Sequence, residues 1–213
     1  MYDLDQTVRL IATLRETPEA VVMDTEQTCW EGSWERRQAG RPLPHELREV
    51  IQIGAVIAET TSFAVLAAFE IIVRPRIAPV LTPFCVALTG VSQARVDAEG
   101  RPFPEALDAF LRFVGTRPVI VYNADEDVLR ENVAINDDRT TIPSFIRLRP
   151  ALEACGIDMV GVNSGKIARA LGSTRQYREH DALADVRSMA DGLAILAGAV
   201  DRAAGKTPRE IMP

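Results

Sequence analysis

Ala20-Val21-Val22-Met23-Asp24-Thr25-Glu26 is the stretch on which the reading of this 213-residue chain turns. Four apolar residues, two of them β-branched, suit a buried central strand, and the strand runs out into acid. Side chains alternate along a strand, so Asp24 and Glu26 point to the same face. Two carboxylates converging at the end of a buried strand are costly unless something positive binds between them. A metal ion meets that need, although an Asp-x-Glu triplet alone is a common accident of sequence. The composition narrows the ion. There are two histidines, His45 and His180, and three cysteines, Cys29, Cys85 and Cys155, with no CxxC pair. A metal site here therefore rests on carboxylates, which favours hard ions such as Mg²⁺ or Mn²⁺ over structural zinc.

Working outward, residues 4–15 place Leu4, Val8, Ile11 and Leu14 at helical spacing behind a capping Asp3. Residues 29–46 read as a charged loop with two tryptophans nearby, Trp30 and Trp34, and residues 50–57 and 63–73 as an antiparallel hairpin. Residues 83–88 suit a short helical turn, and 103–114 an amphipathic helix with Leu107, Phe110, Leu111 and Val114 on one face. Residues 118–122 form a short apolar strand, followed by a helix over 126–135 and a weak strand at 146–148. A helix over 164–171 stops at Gly172, and a long helix fills 181–199. A meander of strands followed by alternating strands and helices implies an α/β or α+β layer fold with a mixed sheet. The expected division is a helical extension over 1–18, one domain over 19–200, and a loose tail over 201–213.

Apolar residues make up 47% and charged residues 25%, the balance of a soluble globular domain. The longest apolar runs, such as 64–69, are far too short to span a bilayer. Asp3 and Asp5 stand where a secretory signal needs basic residues, so a cytoplasmic location is expected. The net charge of -6 excludes a chain that coats nucleic acid by bulk charge. It leaves room for local phosphate contacts. Residues 159–178 carry Lys166, Arg169, Arg175 and Arg178 and no acid, although such clusters are also ordinary solvated surface.

Two further acidic segments follow. Asn123-Ala124-Asp125-Glu126-Asp127 comes directly after a strand, where sites in open sheets gather. Its plain reading is a capping Asp125 and two acids that complement the helix dipole. His180-Asp181-Ala182-Leu183-Ala184-Asp185 opens the long helix, with Asp181 as natural cap and His180 and Asp185 able to border one cleft. Together the three segments resemble the DnaQ-like DEDDh 3′–5′ exonucleases. The match runs through Asp24 and Glu26, Asn-Ala-x-x-Asp ending on Asp127 rather than Asp125, and His-x-Ala-Leu-x-Asp through His180 and Asp185. Phe84-Cys85-x-x-Leu88-Thr89-Gly90-Val91 is similar to the family's Leu-Thr-Gly-Ile segment, and with residues 24–30 it looks closest to the ERI-1/KapD-like subgroup. Gln52 departs from the family, which usually carries Glu there, and Asn123-Ala124 departs from the subgroup's Trp-Gly.

The resemblance implies a ribonuclease H-like fold with a mixed five-stranded sheet flanked by helices. It implies a metal-dependent exonuclease that releases nucleoside 5′-monophosphates from single-stranded RNA or DNA 3′ ends, RNA being favoured. Two Mg²⁺ or Mn²⁺ ions would sit on Asp24, Glu26, Asp127 and Asp185 and serve an in-line displacement, with His180 taking the proton of the attacking water. Thr25, Thr28, Leu88, Thr89, Trp30 and Arg178 would contact substrate. A hydrolase of very short oligonucleotides and a non-catalytic binding module of the same fold are the alternatives.

Overall fold

The computed structural model describes residues 3–205. Five strands, β1 (Glu19–Gln27), β2 (Val50–Glu59), β3 (Val65–Ile72), β4 (Val119–Val121) and β5 (Ile146–Arg147), form one sheet in the order β3-β2-β1-β4-β5. β1 pairs antiparallel with β2, and β2 with β3, while β4 lies parallel to both β1 and β5. The expected meander followed by parallel strands is what the chain forms. The helices are α1 (Leu4–Leu14), α2 (Ser33–Gln38), α3 (Pro83–Thr89), α4 (Gln93–Glu99), α5 (Phe103–Val114), α6 (Asp125–Ile135), α7 (Leu148–Ala154), α8 (Ile167–Ala170) and α9 (Ala182–Ala203).

Alternation along β1 sorts the core into two layers. Ala20 and Val22 pack with Ile11 and Leu14 of α1 and with Val186, Met189 and Leu193 of α9. Val21 and Met23 pack on the other face with Phe110 of α5 and Leu129 of α6. Continuing the same alternation carries Asp24 and Glu26 toward the N-terminal end of α9. That helix end is held against the sheet by two residues of β2. Gln52, paired in register with Glu26, accepts from Ala182 N at 3.1 Å and donates from Nε2 to Glu70 at 2.8 Å. An amide serves both ends of this bridge, whereas a carboxylate at position 52 would face Glu70 with like charge. Gly54 provides the room: a Cβ there would lie 2.4 Å from the Ala182 carbonyl carbon. The departure from the family at Gln52 is thus an anchor for α9.

Several elements differ from the sequence reading. The supposed loop over 29–46 contains α2, and α4 and α7 occupy stretches with no expected helix. Residues 164–171 begin as a 3-10 turn, Ser164–Lys166, and only then become α8. The last helix continues to Ala203, so the expected loose tail does not begin at 201, and its remainder from 206 lies outside the described residues. The segment set apart as an extension over 1–18 shares the α9 core, and Arg15 clasps Asp201 at 2.8 and 2.9 Å.

Candidate active site

The end of β1 and the first turn of α9 bring three carboxylates together. Oxygens of Asp24, Glu26 and Asp185 lie within 4.8 Å of one another, and all three residues are buried. Burial, then the neighbouring charges of Asp125, Asp185 and Glu26, pushes Asp24 well above the usual carboxylate range. Glu26 is raised by burial and then by Asp185 and Asp125. Asp185 is pushed up to about 7, mainly by burial. Like charges held this close favour protonation until a cation arrives.

Asp181 caps α9, accepting from Ala184 N at 3.1 Å, which fixes Asp185 one turn inside the helix. The Asp185 carboxylate then meets a side-chain donor on one side. Ser164 Oγ donates to Oδ2 at 2.8 Å, while Oδ1 is buried with no hydrogen-bond partner. A buried carboxylate oxygen left without a donor is costly in an interior that otherwise satisfies its polar groups. An oxygen-seeking divalent cation suits the three converging carboxylates, which are a hard donor set, and would relieve the charge on Asp185, one of whose oxygens lacks a donor. Ser164 also lowers Asp24 through a side-chain bond. Its turn is held in place by Ser188 of α9, which donates to Gly165 O at 2.8 Å and accepts from Ala168 N at 3.1 Å. Nothing in the sequence marked Ser164, because its partner lies 21 residues away.

His180 precedes the cap with φ 59°, the left-handed region, which costs a non-glycine residue roughly 1–2 kcal/mol. This conformation sets its backbone N–H where it favours the charged form of Asp185. Burial lowers the imidazole below its ordinary value, so it is neutral near pH 7.

The second acidic segment corrects the sequence reading. α6 begins at Asp125, and its cap is Ala124, with no side-chain cap bond. Asp125 does not cap. Its Oδ1 accepts from Thr25 N at 3.1 Å and from Thr25 Oγ1 at 2.8 Å, and its charge raises both Asp24 and Glu26. Asp127, expected as the ligand, lies outside the cluster with its side chain 47% exposed, bonded through both oxygens to Arg147 at 2.9 and 3.0 Å. The helix starts one residue earlier than a cap at Asp125 allows, and Asp127, two residues on, lies about 200° round the axis from Asp125.

The residues expected to touch substrate divide. Leu88 is exposed at the end of α3, and half-buried Trp30 meets His45 edge-on with ring centres 5.7 Å apart. The Thr89 hydroxyl turns inward to Cys85 O, that of Thr28 bridges Leu47 O and Glu49 N, and that of Thr25 holds Asp125. All three hydroxyls are engaged in bonds within the chain. Trp34 stands 61% exposed on α2.

The exonuclease family model RNase_T matches residues 21–192, and the chain belongs to that family. It is 33% identical over 94 residues to human ERI1 exoribonuclease 2, an alignment covering 44% of this chain and 12% of that protein. It is 31% identical over 97 residues to the rat 3′-5′ exoribonuclease 1, covering 45% and 25%. The chain thus spans an eighth to a quarter of the curated relatives it matches. In fold it is similar to the nuclease domain of 3′hExo, a DEDDh family member bound to rAMP, with TM-score 0.72, 20% identity and coverage of 92% and 98%. Escherichia coli exonuclease I in complex with a dT13 oligonucleotide follows at TM-score 0.62, 18% identity and coverage of 89% and 43%.

Proposed function

We propose that this chain is a metal-dependent 3′–5′ exonuclease that releases nucleoside 5′-monophosphates from single-stranded RNA in preference to DNA, with Mg²⁺ or Mn²⁺ as its ions. The observation that carries the reading is the buried cluster of Asp24, Glu26 and Asp185, whose oxygens lie within 4.8 Å of one another, with a neutral histidine at the same helix end. Preference for RNA draws support from the two exoribonucleases that the chain resembles. The three cysteines are free thiols, in keeping with a reducing cytoplasm.

In this reading Asp24, Glu26 and Asp185 would hold the ions, with Asp125 contributing from beside Thr25. Bound divalent cations supply charge neutralisation at the phosphodiester and a lowered pKa for the attacking water. The protein's own part is positional and acid–base. β1 and the first turn of α9 fix the carboxylates, and Ser164 orients Asp185. His180 accepts the proton of the water at its neutral ring nitrogen. Leu88 presents an apolar surface on α3 for the terminal nucleoside.

The test is incubation of the purified protein and Mn²⁺ with single-stranded RNA or DNA labelled at one end. A 3′ label should appear at once as mononucleotide, a 5′ label should remain on a shortening ladder, EDTA should stop both, and RNA should be shortened faster. Release of a 5′ label first, or none from either substrate, overturns the proposal. The placement of the second acid has its own check. Asp125→Ala should lower turnover by about 10–100-fold or more, as loss of a group oriented on metal ligands does. Asp127→Ala removes only an exposed ion pair, worth about 0–1 kcal/mol, and should leave turnover within a few-fold of wild type. The opposite ranking would restore Asp127 as the ligand.

A further inference from the structure

Arg178 stands two residues before His180, in the turn that delivers the imidazole to the site. The residue between them is tied down: the Glu179 carboxylate accepts from Asn163 Nδ2 at 3.0 Å and pairs with Lys166 Nζ at 3.1 Å. Arg178 instead reaches across to the C-terminal end of α3. There its guanidinium rests on Gly90, the left-handed cap of that helix at φ 72°. A Cβ built on Gly90 would lie 1.6 Å from Nη2 of Arg178, 2.3 Å from Cζ and 2.6 Å from Nη1. The guanidinium therefore occupies the volume that any other residue at position 90 would fill.

Both ends of this span are fixed. α3 is fastened to the chain leaving β1, with Thr82 Oγ1 donating to Cys29 O at 2.7 Å and the Cys85 thiol to Gln27 O at 3.6 Å. The Arg178 end is fastened through Glu179. Of the other cations of the basic stretch, Lys166 pairs with Glu179 and Arg175 with Asp191 at 3.2 Å, while Arg169 is in no ion pair among the described residues and is not seated on Gly90. Among the described residues, Arg178 is in no ion pair. A planar fork of donors with no anion of its own, laid over a bare backbone turn between Leu88 and His180, is suited to bind a phosphate. A phosphodiester strand approaching three clustered carboxylates, with Asp125 beside them, on a chain of charge -6 also needs a cation near the cleft.

We infer that Arg178, seated on Gly90, binds a backbone phosphate of the strand entering the site, and that Gly90 is glycine to leave room for that guanidinium. The inference rests on the exonuclease reading and assigns within it a phosphate-binding residue and its seat. Arg178 positions substrate and takes no part in the proton transfer.

The experiment measures binding of a fluorescein-labelled single-stranded RNA in EDTA by anisotropy across a range of NaCl. It compares wild type with Arg178→Ala, Arg178→Lys, Gly90→Ala and Arg175→Ala, each checked for its melting temperature. Arg178→Ala should weaken binding by about tenfold or more and reduce the slope of log K against log salt by about 0.7, the share of one phosphate contact on a single strand. Arg178→Lys should keep the slope and recover only part of the affinity, because the charge remains and the fork is lost. Gly90→Ala should behave as Arg178→Ala does, and Arg175→Ala as wild type. In turnover with Mn²⁺, Arg178→Ala should raise KM and leave kcat nearly unchanged. Wild-type affinity and salt slope in Arg178→Ala overturn the inference, as does a folded Gly90→Ala that binds like wild type. A wild-type protein that shortens RNA while Arg178→Ala matches it removes this inference alone. A wild-type protein that neither binds nor shortens RNA removes the exonuclease reading with it.

Discussion

Asp24→Asn is expected to abolish turnover at saturating Mn²⁺ and, in the same molecule, to raise the melting temperature of the metal-free protein at pH 8. Both effects come from one cause. Asp24, Glu26 and Asp185 crowd within 4.8 Å at the buried end of β1, and burial raises all three, with repulsion inside the cluster adding for Asp24 and Glu26 and the charges of Asp181 and Glu179 adding for Asp185. A carboxyl whose folded pKa lies above its unfolded value stabilises the fold fully below the unfolded pKa, and that contribution is lost as pH rises through the folded one. For Asp185 the window runs from the ordinary 3.8 up to about 7. Asp24 and Glu26 act with the same sign. The carboxylates lowered at the surface, such as Glu126 and Glu179, have the opposite sign and are exhausted below the ordinary value of 4.5. His180, lowered by burial, also opposes, adding stability as pH rises. One half-buried imidazole does not outweigh three buried carboxyls, so the EDTA-treated protein should melt higher at pH 5 than at pH 8. Asp24→Asn keeps the shape and removes one charge, which should flatten that dependence, while Mn²⁺ should raise the melting temperature of wild type far more than that of the variant. Calorimetry in EDTA and in Mn²⁺ at the two pH values reads both. Substantial turnover in Asp24→Asn, or a metal-free wild type that melts higher at pH 8, would remove the cluster from the chemistry.

What the sequence showed and what it hid follow from how far each signal reaches. Val21, Val22 and Met23 with Asp24 and Glu26 are legible because a strand states its burial and its face in consecutive residues. The final helix is legible for the same reason: Asp181 caps it, and Asp185 is one turn on. Asp125 is buried beside the cluster and Asp127 is exposed, the reverse of the placement that the spacing Asn-Ala-x-x-Asp suggests, because that spacing counts residues, whereas side-chain placement depends on where α6 begins. With Ala124 as cap, Asp125 falls against Thr25, a partner 100 residues away that no local pattern announces. Ser164 and Gln52 were missed on the same ground, since each acts through a partner on another element. The helices α2, α4 and α7 run six or seven residues, less than the two full turns that periodicity needs in order to show. The capping signals were present for α4, where Ser92 accepts from Arg95 N, and they give a better guide to short helices than hydrophobic spacing does.

His180→Ala is expected to lower kcat by about 10²–10⁴-fold, the range for loss of a positioned general base. The imidazole is not part of the tight carboxylate group, so Mn²⁺ binding measured by titration calorimetry should change little. The backbone complicates a simple substitution. His180 holds φ 59°, and its N–H supports the charge of Asp185, so a variant that disturbs the turn would affect the metal site indirectly. Asparagine and glycine accept left-handed geometry more readily than alanine. His180→Asn and His180→Gly therefore separate the ring from the turn that carries it. If the ring is the base, all three variants lose turnover alike and all three keep wild-type metal affinity. The pH profile supplies a second readout. With metal bound, the carboxylates are already ionised, and the ascending limb of kcat should report the imidazole, levelling off by neutral pH because burial holds it below its ordinary value of 6.5. That limb should vanish in every variant. Near-normal turnover in His180→Gly would show that His180 supplies only backbone geometry to Asp185. A loss of Mn²⁺ affinity in all three would show that the imidazole acts through the metal site and not on the proton.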